Sequence, residues 1–161
     1  MSVAAGSRIG PYEVRSLLGA GGMGQVWRAH DTRLERDVAL KVLPAEALGD
    51  ETARARLVRE ARLASKLNHP HICTVYDVGE VDPSTDSAGS PQASSGQAVA
   101  YIAMELVEGQ PLSARVADGP LPVEQILRYG QQMADALAHA HGRGVVHRDF
   151  KSANVVVTPD G

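Results

Sequence analysis

The 161 residues contain one cysteine, Cys73, so no internal disulfide can form and a reducing compartment is the expectation. Set in the apolar run Ile72-Cys73-Thr74-Val75-Tyr76, that thiol reads as a small buried hydrophobe in a strand rather than a reactive group. No apolar run approaches the ~18 residues that a membrane helix requires, and Met1 to Gly10 lacks the charged-then-apolar layout of a signal peptide. The expectation is a soluble, cytoplasmic chain with no membrane segment. A net charge of −3 gives no reason to expect nucleic acid as a partner. With 43% hydrophobic and 22% charged residues, the composition is enough for one packed core, and the length suits one domain or part of a larger one.

Short alternating runs predict strands at Tyr12–Leu18, Gln25–Ala29 and Asp37–Leu43, with a glycine-rich turn, Gly19 to Gly24, joining the first two. Asp50 to Asn68 predicts a helix, N-capped by Asp50, with Leu57, Ala61, Ala64 and Leu67 on one apolar face, stopped at Asn68-His69-Pro70. Further strands are predicted near Ile72–Val78 and Ala98–Leu106. Residues 83–97, rich in Ser, Gly, Ala and Pro, read as a flexible surface insert. A short helix at Leu112–Val116 and a longer one from Pro122 to about His141 follow, the latter striped with Ile126, Tyr129, Met133 and Leu137. The fold class is therefore α+β, an antiparallel sheet carrying one helix and then a helical segment.

Three motifs carry chemistry. Gly19-Ala20-Gly21-Gly22-Met23-Gly24-Gln25-Val26 fits G-x-G-x-x-G-x-V, where glycines let backbone N–H groups approach phosphates. A dinucleotide-binding turn would open a helix, whereas Val26-Trp27-Arg28-Ala29 continues as a strand; a P-loop would have Lys after Gly24, where Gln25 stands. The remaining readings are a glycine-rich flap over phosphates and a plain hairpin turn. Val38-Ala39-Leu40-Lys41 puts an ammonium on an apolar strand, which calls for a phosphate and a carboxylate partner unless the lysine simply faces solvent. Glu60, bordering the buried face of the predicted helix, can be that partner, or can pair with an arginine of its own helix; Arg54, Arg56, Arg59 and Arg62 read as a solvated face. His147-Arg148-Asp149-Phe150-Lys151-Ser152-Ala153-Asn154 fits H-R-D-x-x-x-x-N. The histidines His69, His71, His139 and His141 make no convincing metal set.

In order and spacing these motifs resemble the eukaryotic-like (Hanks-type) Ser/Thr protein kinases of bacteria, from about Tyr12 onward. The resemblance implies a small lobe with a five-stranded antiparallel sheet and one helix, then a helical large lobe. The implied divisions are 1–11 as an extension, 12–107 as small lobe and hinge, and 108–161 as an incomplete large lobe. It implies phosphoryl transfer from ATP with Mg²⁺ to Ser/Thr hydroxyls of protein substrates. Asp149 would accept the hydroxyl proton, Asn154 would bind a metal ion, Lys151 would neutralise phosphoryl charge, and Lys41 would pair with Glu60. The ATP site would comprise Leu18, Gly19, Ala20, Gly21, Gly22, Met23, Gly24, Val26, Ala39, Lys41, Met104 as gatekeeper, Glu105 and Val107 of the hinge, and Val156. Lys151, two residues after Asp149, resembles the Ser/Thr-directed class; Phe150 and Ser152 replace the commoner Leu and Pro. Arg148 would meet a phosphorylated activation loop.

No Asp-Phe-Gly follows Asn154, so one metal-binding aspartate of the family pattern is missing from these residues. Three readings follow: the N-terminal piece of an active kinase that is inactive by itself, a non-catalytic nucleotide-binding or regulatory module, and a fragment that does not fold stably. On the first and last, the apolar stripe of the Pro122–His141 helix is expected to be exposed. The sequence leaves dimerisation open.

Overall fold

A computed structural model describes residues 3–21, 24–43, 51–81 and 99–160, giving the backbone alone at 51–54, 56 and 57. Two units arise from it, one of residues 1–65 and 75–106, the other of residues 66–74 and 107–161.

The first unit is built on a sheet whose strands are β1 (Arg8–Ile9), β2 (Tyr12–Gly21), β3 (Gly24–Asp31), β4 (Arg36–Leu43), β5 (Val75–Val81) and β6 (Val99–Met104), with helix α1 (Glu51–Ala64) between β4 and β5. The order across the sheet is β1-β2-β3-β4-β6-β5, antiparallel throughout. The five expected strands are present, and the two-residue β1 makes a sixth; so short a strand has no periodicity to read. β2 and β3 run further than their side-chain alternation suggests, because glycine backbones pair as far as Gly21 opposite Gly24. Gly22 and Met23 lie outside the described residues, as do Asp50 and the 83–97 insert.

Alternation sorts this sheet into two faces. Tyr12, Val14, Trp27, Ala29, Val38, Leu40, Val42, Tyr101 and Ala103 form one buried cluster. Burying a side chain of Leu40's size contributes about 1.5–3 kcal/mol, and Leu40 is fully covered. Cross-strand partners share a face, so Val26 opposite Lys41, Lys41 opposite Ile102 and Ala39 opposite Met104 lie together on the other side.

A polar knot ties β2 and β5 to the turn after β3. Tyr12 Oη donates to Asp77 Oδ2 at 3.0 Å, and Arg33 Nη2 donates to Tyr12 Oη at 3.2 Å and Asp77 Oδ2 at 3.4 Å. Asp31, only 1% exposed, accepts the Arg33 backbone N–H at 3.0 Å, with Arg33 Nε 3.5 Å away. Burial, helped by its bond to Asp77, raises the Tyr12 phenol above its ordinary value. Knots of this kind leave few buried polar groups unpaired.

α1 ends at Ala64, four residues before the expected Asn68: Ser65 Oγ donates to Arg62 O at 2.9 Å, turning the chain early. Ile72 N then bonds His69 O at 3.1 Å in a turn after Pro70, so β5 starts at Val75 and not Ile72. Cys73 consequently lies outside the strand and is exposed, not buried as its apolar run suggests.

The second unit holds β7 (Gln110–Pro111), α2 (Leu112–Ala117), α3 (Val123–Gly142) and β8 (Val156–Val157), with β7 and β8 paired. Pro122 caps α3; a proline there forfeits no helical hydrogen bond. Of the expected stripe, Tyr129 is buried, Met133 and Leu137 are half-buried, and Ile126 is 52% exposed beside Leu127 at 67%. The post-α1 segment docks on α3 through His69 Nε2 and Asp135 Oδ2, 3.1 Å apart, and through the rings of His69 and His139, whose centroids are 4.8 Å apart at a tilt of 49°. Among the described residues no cluster could hold a metal ion by side chains of His, Cys, Asp and Glu, and no helix is long and apolar enough to cross a membrane.

Gly24 has φ of +111°, and a Cβ there would run into the Val42 carbonyl oxygen; at Gly21 a Cβ would meet nothing within 4 Å. Gly24→Ala should therefore lose at least ~2 kcal/mol of stability and Gly21→Ala less than about 1. Denaturant unfolding of the two variants checks this, and equal losses would contradict the geometry.

Candidate active site

In the first unit, β4 presents Lys41 on the face opposite the large core cluster, half-buried, with Val26, Ile102 and the nearby Ala39 and Met104 around its strand position. Gly19 pairs with Val26 just after a β-bulge that contains Leu18, which is half exposed. At Gly19 and Gly21 there is open space where side chains would be, so the backbone at these two positions is bare. That bareness fits a polyphosphate, which needs backbone N–H groups within reach. Glu60 is half-buried on α1; the expected Lys41–Glu60 pair is not among the ion pairs of the described residues. Glu105 follows directly on β6, which ends at Met104.

In the second unit, the 147–154 loop folds around one carboxylate. Asp149 N donates to His147 O at 2.8 Å, closing a tight turn with Arg148 at its centre. Arg148 accordingly has φ of +61°, a left-handed conformation costing a non-glycine residue of order 1 kcal/mol or more. Asp149 Oδ2 receives Lys151 Nζ at 2.9 Å and Asn154 Nδ2 at 3.0 Å, and the same amide nitrogen donates to Asp149 O at 2.9 Å. Asn154 is itself set by its N–H donating to Lys151 O at 2.9 Å, in the 3-10 turn Ser152–Asn154. The amide's orientation is thereby fixed: two acceptors face Nδ2, so Oδ1 points elsewhere. An exposed amide oxygen held this way fits a hard cation such as Mg²⁺. The Lys151 hydrogen bond, then that from Asn154, holds the Asp149 carboxyl below its ordinary range.

Val156 pairs with Pro111 in the two-stranded β7–β8 ribbon and is 43% exposed, while Val107 is half-buried ahead of β7. Each expected residue outside 22 and 23 thus has a place, in one unit or the other.

A glycine-flapped sheet with a lysine on its open face, and a loop that clamps an aspartate between lysine and asparagine, are the arrangement expected of a protein kinase domain. Comparison with known proteins agrees. The protein kinase domain family matches residues 12–161. Serine/threonine-protein kinase PknA of Mycobacterium tuberculosis is 41% identical over 153 residues, covering 94% of this chain and 33% of PknA. The probable serine/threonine-protein kinase SCO3848 of Streptomyces coelicolor is 42% identical over 153 residues, or 94% of this chain and 21% of that protein. The crystal structure of the M. tuberculosis PknI kinase domain superposes with a TM-score of 0.80 at 35% identity, over 98% of this chain and 58% of that one. The chain belongs to the protein kinase domain family. It spans a third or less of the curated relatives named here.

Because Lys151 and Asn154 both stabilise the ionised form, removing the lysine should raise the Asp149 pKa. A carboxyl depressed in the folded state adds stability above its unfolded value of about 3.9, and that contribution fades as pH falls through the folded pKa. In Lys151→Met, NMR titration should find the Asp149 carboxyl moved up toward the ordinary range, with the loss on acidification shifted up with it. An unmoved titration would show that the 2.9 Å contact does not act in solution.

Proposed function

We propose that these residues supply the nucleotide-binding strands and the catalytic loop of an ATP-dependent Ser/Thr protein kinase. The observation that carries this reading is the Asp149–Lys151–Asn154 clasp. Both of its side-chain contacts fall on Oδ2, so Oδ1 is the acceptor through which Asp149 orients a Ser or Thr hydroxyl and takes its proton. A carboxylate kept ionised at neutral pH is suited to that task. A non-catalytic module has no use for an intact clasp of this kind.

When bound, Mg-ATP supplies the transferable phosphoryl group. Asn154 Oδ1 is the ligand this chain offers to Mg²⁺, and Lys151 offsets charge on the group in transit. Lys41 takes the nucleotide's phosphates, with Glu60 as the carboxylate that steadies its ammonium, and the bare backbone around Gly19 and Gly21 lies along them. Leu18, Val26, Ala39 and Val156 give apolar contact to the base, with Met104 as gatekeeper. Backbone groups of Glu105 and Val107 hydrogen-bond its edge. Two supports exist for the sheet portion: Val26, Ala39, Lys41 and Met104 share one face by register, and the flap carries no side chains at its open glycines. Protein substrates bearing Ser or Thr follow from the lysine two residues after Asp149.

The 161 residues hold no Asp-Phe-Gly after Asn154, so the proposal for this chain alone is nucleotide binding, with transfer assigned to the whole protein. Mg-ATP at about 100 times its dissociation constant should stabilise the chain by ~2.7 kcal/mol. Lys41→Met should abolish that gain while leaving the ligand-free melt unchanged, and Asp149→Asn should keep most of it. A thermal-shift titration decides. A folded wild-type chain that shows no shift with Mg-ATP would defeat the assignment.

A further inference from the structure

Lined by none of the residues assigned to nucleotide or transfer, a cleft of about 470 Å³ in the second unit lies between β7, α2, the first turns of α3 and the residues after β8. Its size suits a ligand of several side chains. The lining is polar and carries Gln110, Arg115, Gln125, Arg128, Tyr129 and Asp160. Two arginines and one aspartate thus line the cleft, and among the described residues neither arginine forms an ion pair. The Arg128 guanidinium sits 5.4 Å from the Tyr129 ring centroid. Arg128 is exposed, which leaves its N–H groups open to a planar acceptor.

A second observation narrows the ligand. Arg115 Nε and Gln125 Oε1 are both closed off from solvent with no hydrogen-bond partner. Native proteins rarely leave such groups unpaired. One of these atoms wants an acceptor and the other a donor. A simple anion provides the first alone, whereas a peptide with carboxylate side chains provides both, since its backbone N–H can donate. Both atoms belong to side chains that line the cleft, Arg115 from α2 and Gln125 from α3.

We propose that this cleft docks an extended acidic segment of a partner protein, with Glu or Asp side chains on Arg115 and Arg128 and a peptide N–H on Gln125. Charge-assisted bidentate pairs give such a site its strength. The site is independent of phosphoryl transfer and of the nucleotide.

The probe is a fluorescein-labelled decapeptide of alternating Glu and Ala, read by fluorescence polarisation against the full chain, with a Lys–Ala decapeptide as its charge reversal. Binding of the Glu–Ala peptide only, weakened about ten-fold or more in the Arg115→Gln/Arg128→Gln double variant at an unchanged melting temperature, supports the site. Equal binding of the Lys–Ala peptide, no binding, or indifference to the double variant overturns it. Inorganic phosphate displacing the peptide as effectively as unlabelled peptide does would overturn the peptide as occupant. Should the double variant fail to fold, a benzophenone-bearing Glu–Ala peptide is crosslinked to the unmodified chain. Adducts within 109–129 or 157–160 then support the proposal, and adducts confined elsewhere, or none, refute it.

Discussion

The register of β4 is the constraint on which the rest of the first unit depends. Val38, Leu40 and Val42 enter the main core, and the alternation of a strand then obliges Ala39 and Lys41 to face the other way. A slip of one residue would drive the Lys41 ammonium into a cluster with Trp27 and Tyr101 and expose three aliphatic side chains. Neither is tolerable, since an unpaired buried charge is costly and the lost burial amounts to several kcal/mol. The apolar core therefore does more than stabilise the sheet. It decides which way Lys41 points, and through the pairings Val26–Lys41 and Ala39–Met104 it gathers the apolar companions of that lysine onto the same face.

The second unit solves a different problem, how to hold a carboxylate ionised and oriented on an exposed loop. Surface ion pairs are weak when two flexible side chains meet alone. Here the Asp149 carboxylate receives two donors while its own carbonyl receives a third bond, from the same Asn154 nitrogen that serves the carboxylate. A left-handed Arg148 closes the loop. Strain and hydrogen bonding are concentrated within eight consecutive residues, as is common where geometry serves chemistry.

Much of this was legible in the sequence, and the misses have physical causes. Alternation located five strands because each buries one face, and motif spacing is what proposes Lys41, Glu60, Asp149 and Asn154 as site residues. Strand ends were less legible. Glycines extend β2 and β3 with backbone pairing that leaves no side-chain pattern. Ile72 to Val75 has the composition of a strand, yet a turn after Pro70 takes its first residues and turns Cys73 outward. Local bonding by Ser65 shortens α1, a competition that apolar periodicity does not register. The cleft at Arg115 and Gln125 had no signal at all, because polar residues on helices look like a solvated surface until neighbouring elements enclose them.

Lysine is scarce in this chain: the sequence has it at 41, 66 and 151 alone. The central claim, that the open face of β4 receives the phosphates of ATP, can therefore be tested by acylation with an ATP acyl phosphate followed by peptide mass spectrometry. The account predicts that Lys41 is modified, that excess Mg-ATP protects it, and that Lys66 is left untouched. Labelling of Lys66 to the same extent as Lys41, with no protection by Mg-ATP, would contradict it.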